Sequence, residues 1–220
     1  MEIGFVLFPN VTQLDFTGPL QVLHRLPEAR VHIVAKTLEP VPSDCGLSLV
    51  PTATFASCPP LDLLCIPGGF GVEDAILDEA LMAFVSEQAT QARYVTSVCT
   101  GAFVLGQAGL LRGRRATTHW AYRALLTQVG AEPVEARVVR DGNVFTGGGV
   151  TAGLDFAFVI AAEVAGEEVA KRIQLAIEYD PAPPFQCGSP GSADQALVAS
   201  LEARYEARRQ LLSEKLVRAT

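Results

Sequence analysis

Five cysteines, Cys45, Cys58, Cys65, Cys99 and Cys187, are the candidate nucleophiles of this chain, and one stands apart by its setting. Cys99 lies within Arg93-Tyr-Val-Thr-Ser-Val-Cys-Thr-Gly-Ala-Phe-Val-Leu-Gly106. Tyr94 to Val98 reads as a buried strand, and a helix begins near Gly101. A tight strand-to-helix turn lifts one side chain clear of the sheet. Gly101 and Ala102, directly after the cysteine, leave such a turn free of bulk. The helix N-terminus behind Cys99 offers unpaired N–H groups and partial positive charge, both of which favour thiolate over thiol. The chemistry this arrangement can do is attack by sulfur on an electrophilic centre. The same pattern also suits an inert, small core residue, a common fate of free cysteine.

The groups that could assist such a sulfur are few. Pro67-Gly-Gly-Phe-Gly71 follows the apolar run Leu61-Asp-Leu-Leu-Cys-Ile66, and paired glycines there let the backbone turn sharply and aim N–H groups outward. No Gly-Lys-Ser/Thr follows, so a phosphate loop is excluded, and an oxyanion site using Gly69 fits better. Asp15 is the lone acid of the loop from Asn10 to Phe16, placed either for proton transfer or to cap the next helix. His119 follows the short strand Arg114-Arg-Ala-Thr-Thr118; it is a natural third member of a Cys-His site or a packing neighbour of Trp120. Gly147-Gly-Gly149 ends another strand, as pocket or plain turn glycines. His32 alternates with apolar residues and reads as a strand-face histidine. No C-x-x-C pair exists and His24, His32 and His119 are scattered, so a metal site lacks support, as does a disulfide framework.

The elements that must position these residues are legible from period and punctuation. Ile3-Gly-Phe-Val-Leu-Phe8 is a strand buried on both faces and ended by Pro9. Thr17 is the expected N-cap of a helix with Pro19 in its first turn, running to about Leu26. Val31 to Ala35 is a second strand, and Val41 to Val50 a hairpin at the sheet edge. Helix is expected from the glycine loop to about Gln91, over Ala102–Ala108 with Gly109 as its cap, and after Trp120 to about Gln128. Asp141-Gly142 turns a hairpin between Val138 and Phe145. Thr151 is the expected cap of a helix through Ala165, followed by a helix from Glu167 to Ile177. The proline-rich Tyr179–Phe185 then crosses to a charged helix from Ala193 to about Val217, read as a solvated packing element or dimer contact.

Strands alternating with helices mean a largely parallel sheet sandwiched by helices. In such sheets ligands sit at the strands' carboxyl ends. Asp15, Gly68-Gly69, Cys99, His119 and Gly147–Gly149 all follow expected strands and are expected on one rim. With 220 residues, and neither repeat nor linker, the chain reads as a single α/β domain over 1–220, with 180–220 packing on it. A net charge of −7 argues against a nucleic-acid or anionic-membrane surface, and no apolar run reaches the roughly 18 residues of a membrane span. Met1-Glu-Ile-Gly-Phe enters a strand at once with no basic segment ahead of it, and the expectation is a cytoplasmic protein.

Taken together, Gly18-Pro19, Ile66-Pro-Gly-Gly69, Ser97-Val-Cys-Thr-Gly101, Arg115-Ala-Thr-Thr-His-Trp120 and Gly147-Gly-Gly149 resemble the ThiJ/PfpI superfamily. The resemblance implies a class I glutamine amidotransferase-like, flavodoxin-like fold with a reactive cysteine on a strand-to-helix turn. Ser97 to Trp120 also looks like the sensor half of regulators that carry a helix-turn-helix pair, which this sequence does not contain. Gln-Leu-Asp15-Phe-Thr-Gly-Pro19, Ala116-Thr-Thr-His-Trp-Ala-Tyr122 and the tail Gln174-Leu-Ala-Ile-Glu-Tyr-Asp-Pro-Ala-Pro-Pro-Phe185 are similar to the branch that hydrates isonitriles. Chaperone-like and protease-like relatives usually have Glu at the place of Asp15.

That likeness implies a small-molecule isonitrile substrate, no cofactor and a homodimer. It implies Cys99 as nucleophile, Asp15 as general acid and base, and Thr100 orienting Asp15 through its hydroxyl. The N–H groups of Thr100 and Gly69 would then stabilise developing negative charge, with His119 and Gly148 in the pocket. Two other classes stay open at this point: another cysteine-dependent enzyme, glyoxalase-like or an amidase, and a non-enzymatic thiol or ligand sensor.

Overall fold

In a computed structural model the backbone is described for residues 1–218 and the side chains for 1–217, so the last residues of the unit expected over 1–220 lie outside the described part. Along the chain the elements are β1 (Glu2–Val6), α1 (Gln13–Leu23), β2 (Arg30–Ala35), β3 (Val41–Pro42), β4 (Ser48–Leu49), β5 (Ala53–Thr54), β6 (Leu63–Ile66), α2 (Val72–Ala75), α3 (Glu79–Gln91) and β7 (Tyr94–Val98). A short 3₁₀ turn, Cys99–Gly101, leads into α4 (Ala102–Gln107). Then follow β8 (Arg115–Ala116), a 3₁₀ segment (Trp120–Val129), β9 (Glu132–Pro133), β10 (Val138–Asp141), β11 (Val144–Gly147), α5 (Ala152–Ala165), α6 (Glu167–Ala176) and α7 (Gln195–Arg218).

Seven strands form one sheet in the order β10-β11-β7-β6-β1-β2-β5. Every neighbouring pair is parallel except β10–β11, the hairpin turned at Gly142. Buried side chains dominate β1, β6, β7 and β11, as a sheet covered on both faces requires. Phe5 packs edge-on against Phe16 of α1, and α1 packs on α5. The opposite face carries α3 and α4, with the 3₁₀ segment and α7 beyond them. Tyr179 fastens the proline-rich tail to α5 by donating to Asp155 at 2.6 Å.

Several local expectations are corrected. α1 begins at Gln13 with Thr12 as its N-cap, so Thr17 and Pro19 lie inside it and Asp15 stands in its first turn rather than in a loop. Pro19 is tolerated there although it has no N–H to give the carbonyl of Asp15 one turn earlier. The helix expected up to Gln91 is two, because the Asp78 side chain accepts from Ala80 and Leu81 N–H groups and starts α3 afresh. The 41–50 hairpin is a sheet of its own, and β5 is the edge strand instead. β8 pairs with β9 apart from the main sheet. Thr151 occupies the N-cap position of α5 without capping it; its hydroxyl accepts from Arg137 at 3.1 Å.

Candidate active site

β7 ends at Val98 with extended backbone, and Cys99 then turns to φ +56°, the left-handed region that L residues other than glycine avoid. Two hydrogen bonds hold the turn there: Cys99 N–H donates to Gly148 O at 2.9 Å, and the Thr118 hydroxyl donates to Cys99 O at 2.7 Å. The chain then passes so close to β6 that a Cβ on Gly101 would collide with the carbonyl oxygen of Ile66. Strain at a nucleophile is of the kind functional turns store. Here it sets the thiol beside Asp15 and beside the N–H groups of Thr100 and Val150, which favour the charged sulfur.

Asp15 is fully enclosed, at 0% exposure. Its Oδ2 accepts from Gly68 N–H at 2.9 Å, and the Cys99 thiol beside the carboxyl favours its charged form. Oδ1 has no hydrogen-bond partner among the described residues, which leaves an oxygen free to carry a proton. Gly68 cannot be larger: a Cβ would lie 2.5 Å from Thr100 N and 2.9 Å from Asp15 Oδ2. Thus the glycine pair serves the site by letting backbone and carboxyl meet.

Burial raises Asp15 from its ordinary 3.8 to about 7, against the opposing pull of the Gly68 N–H and the Cys99 thiol. Burial also pushes the Cys99 thiol well up, the Asp15 charge adds to the rise, and the two N–H groups at the sulfur pull the other way. The helix-terminus argument for a standing thiolate is therefore overridden by desolvation. The two groups titrate as a pair that holds one proton between them over a wide range above pH 7.

Three assignments made from the sequence change. The Thr100 hydroxyl does not orient Asp15: it accepts from Gly69 N–H at 3.0 Å and faces Gly69 O at 3.2 Å. Gly69 N–H is thereby committed and does not point at a reacting atom. Gly148 is spent likewise, its N–H on Arg137 O at 2.9 Å and its carbonyl on Cys99 N; it borders a neighbouring groove rather than the cysteine's cavity. The N–H groups at the reacting end are those of Thr100 and Val150, and Val150 was missed because nothing in its type marks a backbone donor.

A cavity of about 160 Å³ opens at Cys99. Thr12, Asp44, Gly69, Thr100 and Val150 border its reacting end, and Phe70, His119, Tyr122 and Tyr205 form an aromatic wall. His119 lies in this wall. Its Nδ1 accepts from Ala121 N–H at 3.3 Å, and burial lowers its pKa to about 4, so the ring stays neutral and is a weak base. Burial raises the Tyr122 phenol to about 12, which keeps it protonated. Tyr205 belongs to α7, the helix expected to be a solvated packing element or a dimer contact. Charge on its surface hid the aromatic that faces inward.

A fold with a parallel sheet and a strained cysteine turn facing a buried carboxyl defines a class. The family model described as the DJ-1/PfpI family matches residues 1–163, and the chain belongs to that family. An isonitrile hydratase from Pseudomonas putida is 56% identical over 219 residues, spanning 100% of this chain and 96% of the relative. A crystal structure of a ThiJ/PfpI family protein from Pseudomonas syringae superposes with a TM-score of 0.96 at 43% identity, covering 98% of this chain and 90% of that one. The HTH-type transcriptional regulator GbdR of Pseudomonas aeruginosa is 30% identical over 189 residues, 81% of this chain but 51% of the regulator. No described helix is long and apolar enough to cross a membrane.

Proposed function

We propose that the protein is an isonitrile hydratase, converting an isonitrile and water to an N-substituted formamide. One observation carries this reading: the likeness to the Pseudomonas putida hydratase runs through the whole chain, tail included, at 56% identity. The geometry at Cys99 supplies chemistry that suits it. In the singly protonated pair, sulfur attacks the terminal isonitrile carbon while Asp15 delivers the shared proton to that carbon, giving a thioimidate, Cys–S–CH=N–R. The Thr100 and Val150 N–H groups steady the sulfur while it is anionic. Asp15, now a carboxylate, takes a proton from water as its oxygen adds to the carbon, and passes that proton to nitrogen. Collapse of the tetrahedral adduct returns the hydroxyl proton to Asp15, expels the thiolate and releases the formamide. One carboxyl thus serves as acid, base, acid and base in turn, and a pKa near 7 suits both duties.

Residues 1–220 act as one unit in this reading, in the cytoplasm and as a homodimer. Support for the dimer comes from Leu175 on α6 and Phe185 at the end of the tail, apolar side chains left 84% and 75% exposed. Light scattering at micromolar concentration tests it, with twice the 23.4 kDa chain mass expected and a single chain mass contradicting it. The activity is tested by following formamide formation from phenyl isonitrile in the wild type, Cys99→Ala and Asp15→Ala. Turnover confined to the wild type is expected, and full activity in Cys99→Ala would sink the covalent route. A wild type that ignores isonitriles and consumes methylglyoxal would overturn the hydratase reading in favour of a glyoxalase-like one.

A further inference from the structure

One member of the aromatic wall of the Cys99 cavity, Tyr205, comes from the part of the chain beyond residue 163, where the family match ends. α7 is fastened across the cavity by several ties. Arg208 Nη1 donates to the buried Glu73 Oε2 at 2.9 Å, and the same guanidinium lies 4.8 Å over the ring of Phe70, itself a cavity wall. Lys215 pairs with Asp74 at 2.5 Å, and Leu212 and Leu216 are buried beneath the helix. These ties present Tyr205, three residues before Arg208, to the aromatic cluster. Its ring centroid is 5.3 Å from that of His119, 5.8 Å from Tyr122 and 6.2 Å from Trp120.

An isonitrile is linear from its terminal carbon through nitrogen to the first substituent atom. With the carbon held at Cys99 beside the fully buried Asp15, the substituent has to point away from the enclosed end, towards Phe70, Tyr122 and Tyr205. The whole cavity, the end at Cys99 included, is about 160 Å³. A cavity of about 150 Å³ accepts a benzene molecule. A phenyl or cyclohexyl group therefore fills it and a fused bicyclic group overfills it.

We propose that Tyr205, held in place by α7, is the specificity-determining residue that sets the upper size of the substituent carried by the isonitrile. The inference rests on the hydratase reading for its substrate, and on the geometry of the wall for its steric claim. Substrate choice is thereby placed on the C-terminal helix, while the chemistry stays on the shared sheet.

The test measures kcat/KM for phenyl and 2-naphthyl isonitrile in the wild type, Tyr205→Phe, Tyr205→Leu and Tyr205→Ala. The naphthyl-to-phenyl ratio should be unchanged in Tyr205→Phe and rise stepwise through Leu to Ala, by about tenfold or more in the last. The rise should come mainly from KM for the naphthyl compound. A ratio that stays flat across the series, in variants whose thermal melts show them folded, overturns the proposal. Alteration of Tyr205→Ala folding leaves the Leu and Phe variants to decide it. A wild type that hydrates neither compound ends the hydratase reading instead. The wall is then read from alkylation of Cys99 by iodoacetamide and by its N-naphthyl analogue, followed by peptide mass spectrometry. The same dependence on residue 205 is expected there, and no dependence overturns the steric claim as well.

Discussion

Cys65 and Cys99 make an instructive pair. Both are buried, both feel the Asp15 charge, and in both burial is the main force that raises the thiol, to about 12 for Cys65. Neither depth nor acidity separates them. Cys65 sits in the extended run of β6, with sheet on either side and 0% exposure, and the nearby Thr96 hydroxyl donates to Leu64 O at 2.8 Å. Cys99 is one step past the end of β7, at φ +56°, where the turn exposes its sulfur to a cavity and gathers two N–H groups around it. What distinguishes a nucleophile from a core residue here is backbone direction. The lesson extends to Asp15, whose charge acts on both sulfurs but whose own titration answers only to the second.

The comparison can be broken by exchange. Cys99→Ala should lower turnover by a factor on the order of 10³ or more, measured as formamide release, since no other group can take the nucleophile's place. Asp15→Asn keeps the shape but cannot carry the shared proton, and a loss of roughly 10²–10⁴ is expected in the same assay. Retained turnover in that variant would move the proton chemistry elsewhere.

Titration sharpens the contrast further. Below pH 7 the folded pair holds two protons and has no thiolate to offer, so kcat/KM should rise with pH through about 7. Stability should move the other way. The folded carboxyl at about 7 keeps its proton longer than an unfolded one at 3.8. Between those values the folded state binds more protons, so unfolding free energy falls as pH rises, by at most about 1.4 kcal/mol per unit. Asp15→Asn should remove both trends in pH-dependent kinetics and denaturant titrations. A wild type whose stability rises across that window would contradict the burial argument. The smallest effect is expected for Cys65→Ala: turnover within about twofold of wild type, and a cost of about 1–2 kcal/mol in urea unfolding from lost packing.

Much of this contrast was legible in the residues themselves. Apolar runs, glycine punctuation and the Val98-Cys-Thr-Gly101 joint implied the parallel sheet and the cysteine turn, because both are dictated locally. Asp15, Cys99, Thr100, Gly69 and His119 do converge on one rim. The errors concern who bonds to whom. Hydroxyl and N–H groups have several partners within reach, and only the packed loops decide that Thr100 serves Gly69 while Gly68 serves Asp15. Thr17 looked like a cap because Pro19 usually opens a helix, whereas this one tolerates it a full turn inside. Tyr205 was hidden for a different reason: its neighbours on α7 are charged, and its inward face is set by tertiary ties such as Arg208–Glu73.

The central claim is that the sulfur of Cys99, and not merely its neighbourhood, bonds to the isonitrile carbon. Rapid acid quench of the wild-type protein during turnover, followed by peptide mass spectrometry, tests this directly. The peptide bearing Cys99 should gain the mass of one isonitrile, with the Cys65 peptide unmodified and no such gain in Cys99→Ala. Formamide produced at full rate with no adduct at Cys99, or an adduct on Cys65 instead, would contradict it.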